Sequence, residues 1–289
     1  MVRLAALLLL ILPATAPAQV LRIRSLAVPD DIRPGPWAAF RVTTQSKNLP
    51  PREFTQRVAV VSEEGLGDEE GVWVELKTID PQTGTRIERG FFVHGRAAAD
   101  SGGAGRTPPV RVLRRVQRLN PDGKLYEYPP DTDVGVRANE EVATLELFEI
   151  PYFQAPRVDS LGLDTLRLGN RELVSRDVRK RWFGSDDWPS TDDSAHVWRA
   201  ALTLTLHQCP AVPITGYTRS TFEVASQSFP ASAPAAYVPP PDSLKTGPIF
   251  YRTEVALTDL GTGAVPEVTQ EPEPAPEADE PDTPSGPAR

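Results

Sequence analysis

A period of two runs through this chain, and it excludes most folds before any motif is sought. Leu202, Leu204 and Leu206 alternate with Thr203, Thr205 and His207, so an extended segment there has one apolar and one polar side. Val72, Val74 and Leu76 alternate with Trp73, Glu75 and Lys77 in the same way, and Phe222 and Val224 repeat the habit within 215–226. Turn residues punctuate these runs: Asp80-Pro81-Gln82-Thr83-Gly84 before a returning strand at 85–93, and Asn120-Pro121-Asp122-Gly123 between 110–119 and 124–128. Gly169-Asn170 is a two-residue hairpin signal between 166–168 and 171–182, and a strand at 250–257 closes the folded region. Helical evidence is confined to Asn139-Glu140-Glu141, which could cap a segment placing Val142, Leu145 and Phe148 on one face. The same segment alternates in part and also reads as a strand. The pattern predicts a mainly β fold: a single strongly curved antiparallel sheet or half-barrel of roughly eight to eleven strands, with one or two short helices.

The ends of the chain carry different information. Arg3, an apolar run from Leu4 to Leu12 and the small-residue pattern Ala16-Pro17-Ala18 make residues 1–18 a signal peptide, cut before Gln19. The apolar run is shorter than the about 20 residues a membrane span needs, and no cysteine stands near the cut to take a lipid. The expected location is therefore periplasmic or secreted. Residues 19–263 read as the β-rich domain, with mobile loops expected at 96–109 and 230–248, both rich in Ala, Pro, Gly and Ser. From 264 to 289 there are seven prolines, seven carboxylates and one cation, Arg289, a composition that predicts a disordered acidic tail. The tail holds most of the formal charge of −8, so the remainder is close to neutral and gives no sign of nucleic-acid binding. Cys209 is the one cysteine, which removes internal disulfides from the account, and its apolar surroundings make it a small buried hydrophobe.

No catalytic or cofactor motif emerges: neither G-x-S-x-G, a P-loop, H-E-x-x-H nor C-x-x-C is present, and no cofactor is expected. A hydrolase would need carboxylates or a serine with a basic partner brought together from distant positions. His207 and Cys209, with His196, could supply zinc ligands, but their spacing lacks the paired form such sites take, and a solvated histidine is the simpler account. Asp186, Asp187, Asp192 and Asp193 lie on one loop that could hold calcium, yet they fit no EF-hand register and are also turn formers. No metal is assigned. Two segments are unexpectedly basic: Arg111, Arg114, Arg115 and Arg118 in one, and Arg176, Arg179 and Arg181 in the other. If their strands were neighbours, these seven would form a patch for anionic headgroups; otherwise they pair with carboxylates across strands.

Several short stretches resemble bacterial periplasmic proteins with the half-barrel fold of outer-membrane lipoprotein carriers. These are Gly35-Pro36-Trp37-Ala38-Ala39-Phe40 and Val72-Trp73-Val74-Glu75 in the first half, and Leu168-Gly169-Asn170-Arg171, Val197-Trp198 and Val212-Pro213-Ile214-Thr215-Gly216 in the second. The resemblance covers about half the chain by these motifs, and implies a curved sheet whose concave side carries acyl chains. The insertion at 230–248 and the acidic tail depart from it. Two readings follow. In the first, the chain is an exported non-enzymatic envelope protein that binds lipid or a lipidated protein on a concave face lined by Val72, Val74, Leu76, Leu202, Leu204, Leu206, Phe222 and Val224, with peripheral membrane contact. In the second it is a structural or interaction module of an envelope complex, and those eight residues are packed core. A large apolar pocket separates the two readings.

Overall fold

The computed structural model describes residues 21–23, 26, 28–47, 49–66, 69–94, 111–120, 123–128, 157–183, 188–189, 195–232 and 250–274. The expected signal peptide, the loop expected at 96–109, the candidate helix at 139–148 and the acidic positions Asp186, Asp187, Asp192 and Asp193 lie outside these residues, as does most of 230–248. The described residues contain no α-helix, and none long and apolar enough to cross a membrane.

Strands account for nearly all of it: β1 (Trp37–Ser46), β2 (Arg52–Leu66), β3 (Glu69–Asp80), β4 (Gly84–Val93), β5 (Val112–Leu119), β6 (Leu125–Tyr128) and β7 (Arg157–Leu168) in the first part. The second part adds β8 (Arg171–Phe183), β9 (Trp188–Pro189), β10 (His196–Gln208), β11 (Tyr217–Pro230), β12 (Phe250–Gly261) and β13 (Glu273–Pro274). They form one open sheet in the order β13-β6-β5-β4-β3-β2-β1-β12-β11-β10-β8-β7, with β9 pairing β10 off that path. Every pairing is antiparallel except β13 on β6. The alternation read from sequence sets these registers, because a one-residue slip would turn each apolar set to the opposite side. Turn chemistry closes the hairpins where it was expected: Gly169 takes a positive φ of 58° in the two-residue β7–β8 turn, a conformation that costs glycine little.

The main core lies on one side of the sheet. Ala38, Phe40 and Val42 of β1, Val58 and Val60 of β2, Val72, Val74 and Leu76 of β3, and Val255 and Leu257 of β12 all contribute, each at most 5% exposed. The first described residues cover this layer: Leu21, Ile23 and Val28 belong to the same cluster, and Ile23 and Val28 are fully buried. Gln56 fixes the segment by accepting the Leu21 N–H at 3.0 Å and donating its own amide to the Leu21 carbonyl at 3.0 Å. Arg111 N donates to Val28 O at 2.8 Å. Ile23 sits so close over Gly90 that a Cβ there would lie 2.5 Å from its Cγ2.

The opposite side of β1 to β6 is covered by the start of the acidic tail, which corrects the expectation that the tail is disordered from residue 264. Ala264 packs with Ala59, Val61, Trp73, Phe91 and Val93, and Val268 packs with Ile87 and Leu125. Glu267 meets Arg57 at 3.1 Å and Lys77 at 2.6 Å, and Glu273 meets Lys124 at 3.0 Å. Acids that composition assigned to a solvated arm are thus used within the fold through residue 274; the rest of the tail lies outside the described residues.

Candidate functional site

The eight apolar residues proposed as a ligand face do share one side of the sheet. Register carries this across the strands: Val178, Leu206, Ser220, Val255, Val42 and Phe54 form one row, and Trp182, Leu202, Val224 and Tyr251 form another. Val58 and Val60 on β2 then pair Leu76 and Val74. Four strands separate β3 from β10, so the eight form two groups. Val72, Val74 and Leu76 lie in the core beneath Leu21, Ile23 and Val28. Leu202, Leu204, Phe222 and Val224 are also buried, whereas Leu206 is half-buried. The cleft described is of another kind: about 320 Å³, open, mostly polar, and lined by Leu168, Gly169, Asn170, Arg171, Thr258, Asp259 and Leu260.

The seven arginines do not form one patch. Seven strands stand between β5 and β8, roughly 35–40 Å along a flat sheet. Most of them pair with carboxylates or backbone instead. Arg115 makes a forked contact with Glu127, Arg118 meets Glu88 at 3.2 Å, and Arg181 donates to Asp159 at 3.0 Å. Arg111 is buried, with Nη2 donating to Ile32 O at 3.4 Å. Arg114 and Arg176 are exposed and Arg179 is half-buried.

These pairs make stability depend on pH. The Arg115 contact holds the Glu127 carboxyl below its usual range, helped by Gln117 against the opposing effect of burial. Burial alone would raise Asp80 and Asp159, but both end lowered: the Gln82 amide and Arg52 outweigh it at Asp80, and Arg181 and Arg157 do so at Asp159. A carboxyl lowered in the folded state takes up protons more readily when unfolded, so its contribution is present above the unfolded pKa and lost as pH falls. The urea midpoint should therefore drop as pH falls below about 4. In Asp80→Asn that drop should be smaller, and an equal drop in both proteins would count against this account.

A polar cluster missed in the sequence sits on the other side of β8 and β10. His207 Nδ1 lies 2.9 Å from Asp177 Oδ1 and 3.7 Å from Asp164 Oδ2, and Ser175 Oγ donates to Asp177 Oδ1 at 3.0 Å. The register assembles it: Asp164 is opposite Ser175, and Asp177 is opposite His207. The residues are far apart along the chain, so spacing could not reveal the set. The His207, Asp177 and Asp164 donor atoms lie within 4.8 Å of one another, a disposition able to take a divalent cation with little movement. Cys209 is elsewhere, buried in the core with Val212 and Ile214, so the imagined His207–Cys209 ligand pair does not form. As a catalytic set the cluster is misarranged: the serine hydroxyl and the imidazole both address Asp177 rather than each other. His207→Ala should cost about 1–3 kcal/mol in urea denaturation, because it strips the buried Asp177 of one of its two near donors and leaves Ser175 alone. A loss below a few tenths would mean that the imidazole is not a donor to Asp177.

Comparison with protein-family models gives no match, and neither does comparison with curated proteins. Among solved structures, the chain is similar to the crystal structure of a protein described as a "putative lipoprotein" from Parabacteroides distasonis. The two share 7% identity and a TM-score of 0.28 over 82% of this chain and 99% of the other. What the fold itself defines is a class: an open antiparallel sheet with packed layers on its two sides, contributed by the two ends of its own described chain.

Proposed function

We propose that this chain is an exported, non-enzymatic protein of the cell envelope that works by contact, an interaction module whose sheet interior is packed rather than hollow. One observation carries the reading. The apolar residues that alternation nominates as a ligand face on β3 are already covered by Leu21, Ile23 and Val28. Export fits this arrangement, since cleavage before Gln19 would leave that covering segment in the mature chain. The non-enzymatic part is supported by the geometry of Ser175, Asp177 and His207, in which no nucleophile meets a base.

On this reading the sheet curves around its core. Arg171 at the β7–β8 turn donates to Leu260 O at 2.8 Å, although β10 and β11 stand between β8 and β12. In a flat sheet those strands are about 14 Å apart. Leu173 and the partly buried Leu166 and Leu168 also join the core built by β1 to β5.

A lipid-carrying reading keeps one observation in its favour. Trp182 is buried in the row with Leu202 and Val224, and its indole Nε1 has no hydrogen-bond partner, so a ligand oxygen could accept from it. Native mass spectrometry of the mature chain from its own host decides between the two. A bare chain mass is expected; a co-purified lipid mass, removed by organic solvent and lost in Trp182→Ala, would overturn the packed reading.

A further inference from the structure

The β7–β8 hairpin buries polar side chains and leaves apolar ones open to solvent. On the side that holds the His207 cluster, Leu173, Ser175, Asp177 and Arg181 are all buried, and three of the four are polar or charged. On the other side, which β8 shares with Val178 and Trp182 of the rows described above, Val158 lies opposite Lys180, Leu163 opposite Arg176, and Thr165 opposite Val174. Four apolar side chains of the hairpin are open to solvent: Leu163 is 77% exposed, Val158 57% and Val174 51%, and Leu161, the extra residue at the β-bulge, is 44%. Single exposed apolar residues are ordinary, but four gathered on one hairpin, over a polar underside, form a patch of the kind that meets another surface.

The charges around the patch say which surface. On the side of Val158, Leu163 and Val174 the register places three cations, Arg167, Arg176 and Lys180, against one carboxylate, Glu172, in a chain whose formal charge is −8. Asp177 and Asp159 are engaged on the opposite side, with His207, Arg181 and Arg157, and Arg167 is 80% exposed beside Glu172. An exposed apolar cluster ringed by a local excess of cations is complementary to an anionic bilayer, where apolar side chains enter the headgroup boundary and cations meet lipid phosphates. A second copy of this chain offers the same hairpin, and so sets cation against cation. We infer that the side of the β7–β8 hairpin bearing Val158, Leu163 and Val174 is a docking surface for an anionic membrane. This rests on the exported, contact-acting reading above and supplies what is contacted.

The test is flotation of the full mature chain with vesicles of phosphatidylglycerol mixed with phosphatidylcholine, and with vesicles of phosphatidylcholine alone. Binding to the anionic vesicles, release by salt, and loss of about tenfold or more in affinity for Leu163→Asp and for Arg176→Glu are expected. Both side chains point to solvent, so circular dichroism should be unchanged. No flotation, equal flotation with neutral vesicles, or flotation that neither variant changes would overturn the proposal. So would a concentration-dependent dimer that Leu163→Asp dissolves while vesicles are ignored, since the hairpin would then dock a second copy. Failure of the packed-interior reading looks different: lipid would stay with the chain after the vesicles are removed, in Leu163→Asp as in the wild type.

Discussion

Glu75→Ala is expected to lower unfolding free energy by about 3–5 kcal/mol, far more than the loss of an ordinary carboxylate on a sheet. Glu75 lies on the side of β3 away from the main core, and it is 4% exposed. Its Oε2 accepts the Glu267 amide at 3.0 Å, its Oε1 accepts the Val268 amide at 3.5 Å, and Arg89 Nε stands 3.2 Å from Oε1. Arg89 in turn stacks over Trp73, its guanidinium carbon 4.7 Å from the ring centre. One carboxylate therefore anchors the tail segment and neutralises a mostly buried cation. Removing it orphans two amides and strips that cation of its nearest counter-charge, and each of these is costly inside a sheet. Glu75→Gln keeps an acceptor oxygen and should fall between alanine and wild type. Burial raises the Glu75 pKa, with the two amides and Arg89 pulling it partly back. A carboxyl raised in the folded state gives stability that is present at low pH and lost as pH rises through the folded value, opposite in sign to Asp80. Urea denaturation of the three proteins checks the ranking, and a cost under 1 kcal/mol for alanine would show that the tail is not anchored there.

That segment also marks a limit of what the sequence can say. Residues 264–274 are polar and proline-rich, so composition assigns them to solvent, and composition has no access to a buried acceptor placed nearly two hundred positions earlier. Local alternation was a sound guide within elements. Val72, Val74 and Leu76 face one way, Leu202 and Leu204 face that way too, and Gly169-Asn170 turns the chain as its chemistry requires. Alternation does not rank neighbours, however. Nothing in the arginine-rich stretches records that seven strands intervene between them, and that separation is what rules out a joint cationic patch. The His207 cluster was hidden for a related reason: cross-strand register, not spacing, brings Asp164, Ser175 and Asp177 to it. The exposed hairpin was half-visible, since Val158, Leu163 and Val174 are plain in the sequence, but their exposure follows only from the place of β7 and β8 at the end of the strand order.

The other large effect expected is from Ile23→Asp, which should cost about 2–5 kcal/mol and expose an apolar surface. Ile23 is fully buried, touches Gly90 closely enough to forbid a Cβ there, and lies between Leu21, tied to Gln56, and Val28, tied to Arg111. A carboxylate cannot remain at that place without partners, so the segment lifts off and the penalty is limited to the burial it forfeits. Lifting uncovers the layer of Val72, Val74 and Leu76. Binding of an environment-sensitive apolar dye should therefore rise, with early proteolysis near residue 23. Gly90→Ala should give the same signs in weaker form, because its new methyl competes for the space that Ile23 fills. Unchanged dye binding in both variants would mean that some other part of the chain seals the layer. If the dye enters and the sheet stays folded, the β3 residues that the sequence singles out as a ligand face are such a face, and their occupant is the chain's own N-terminal segment.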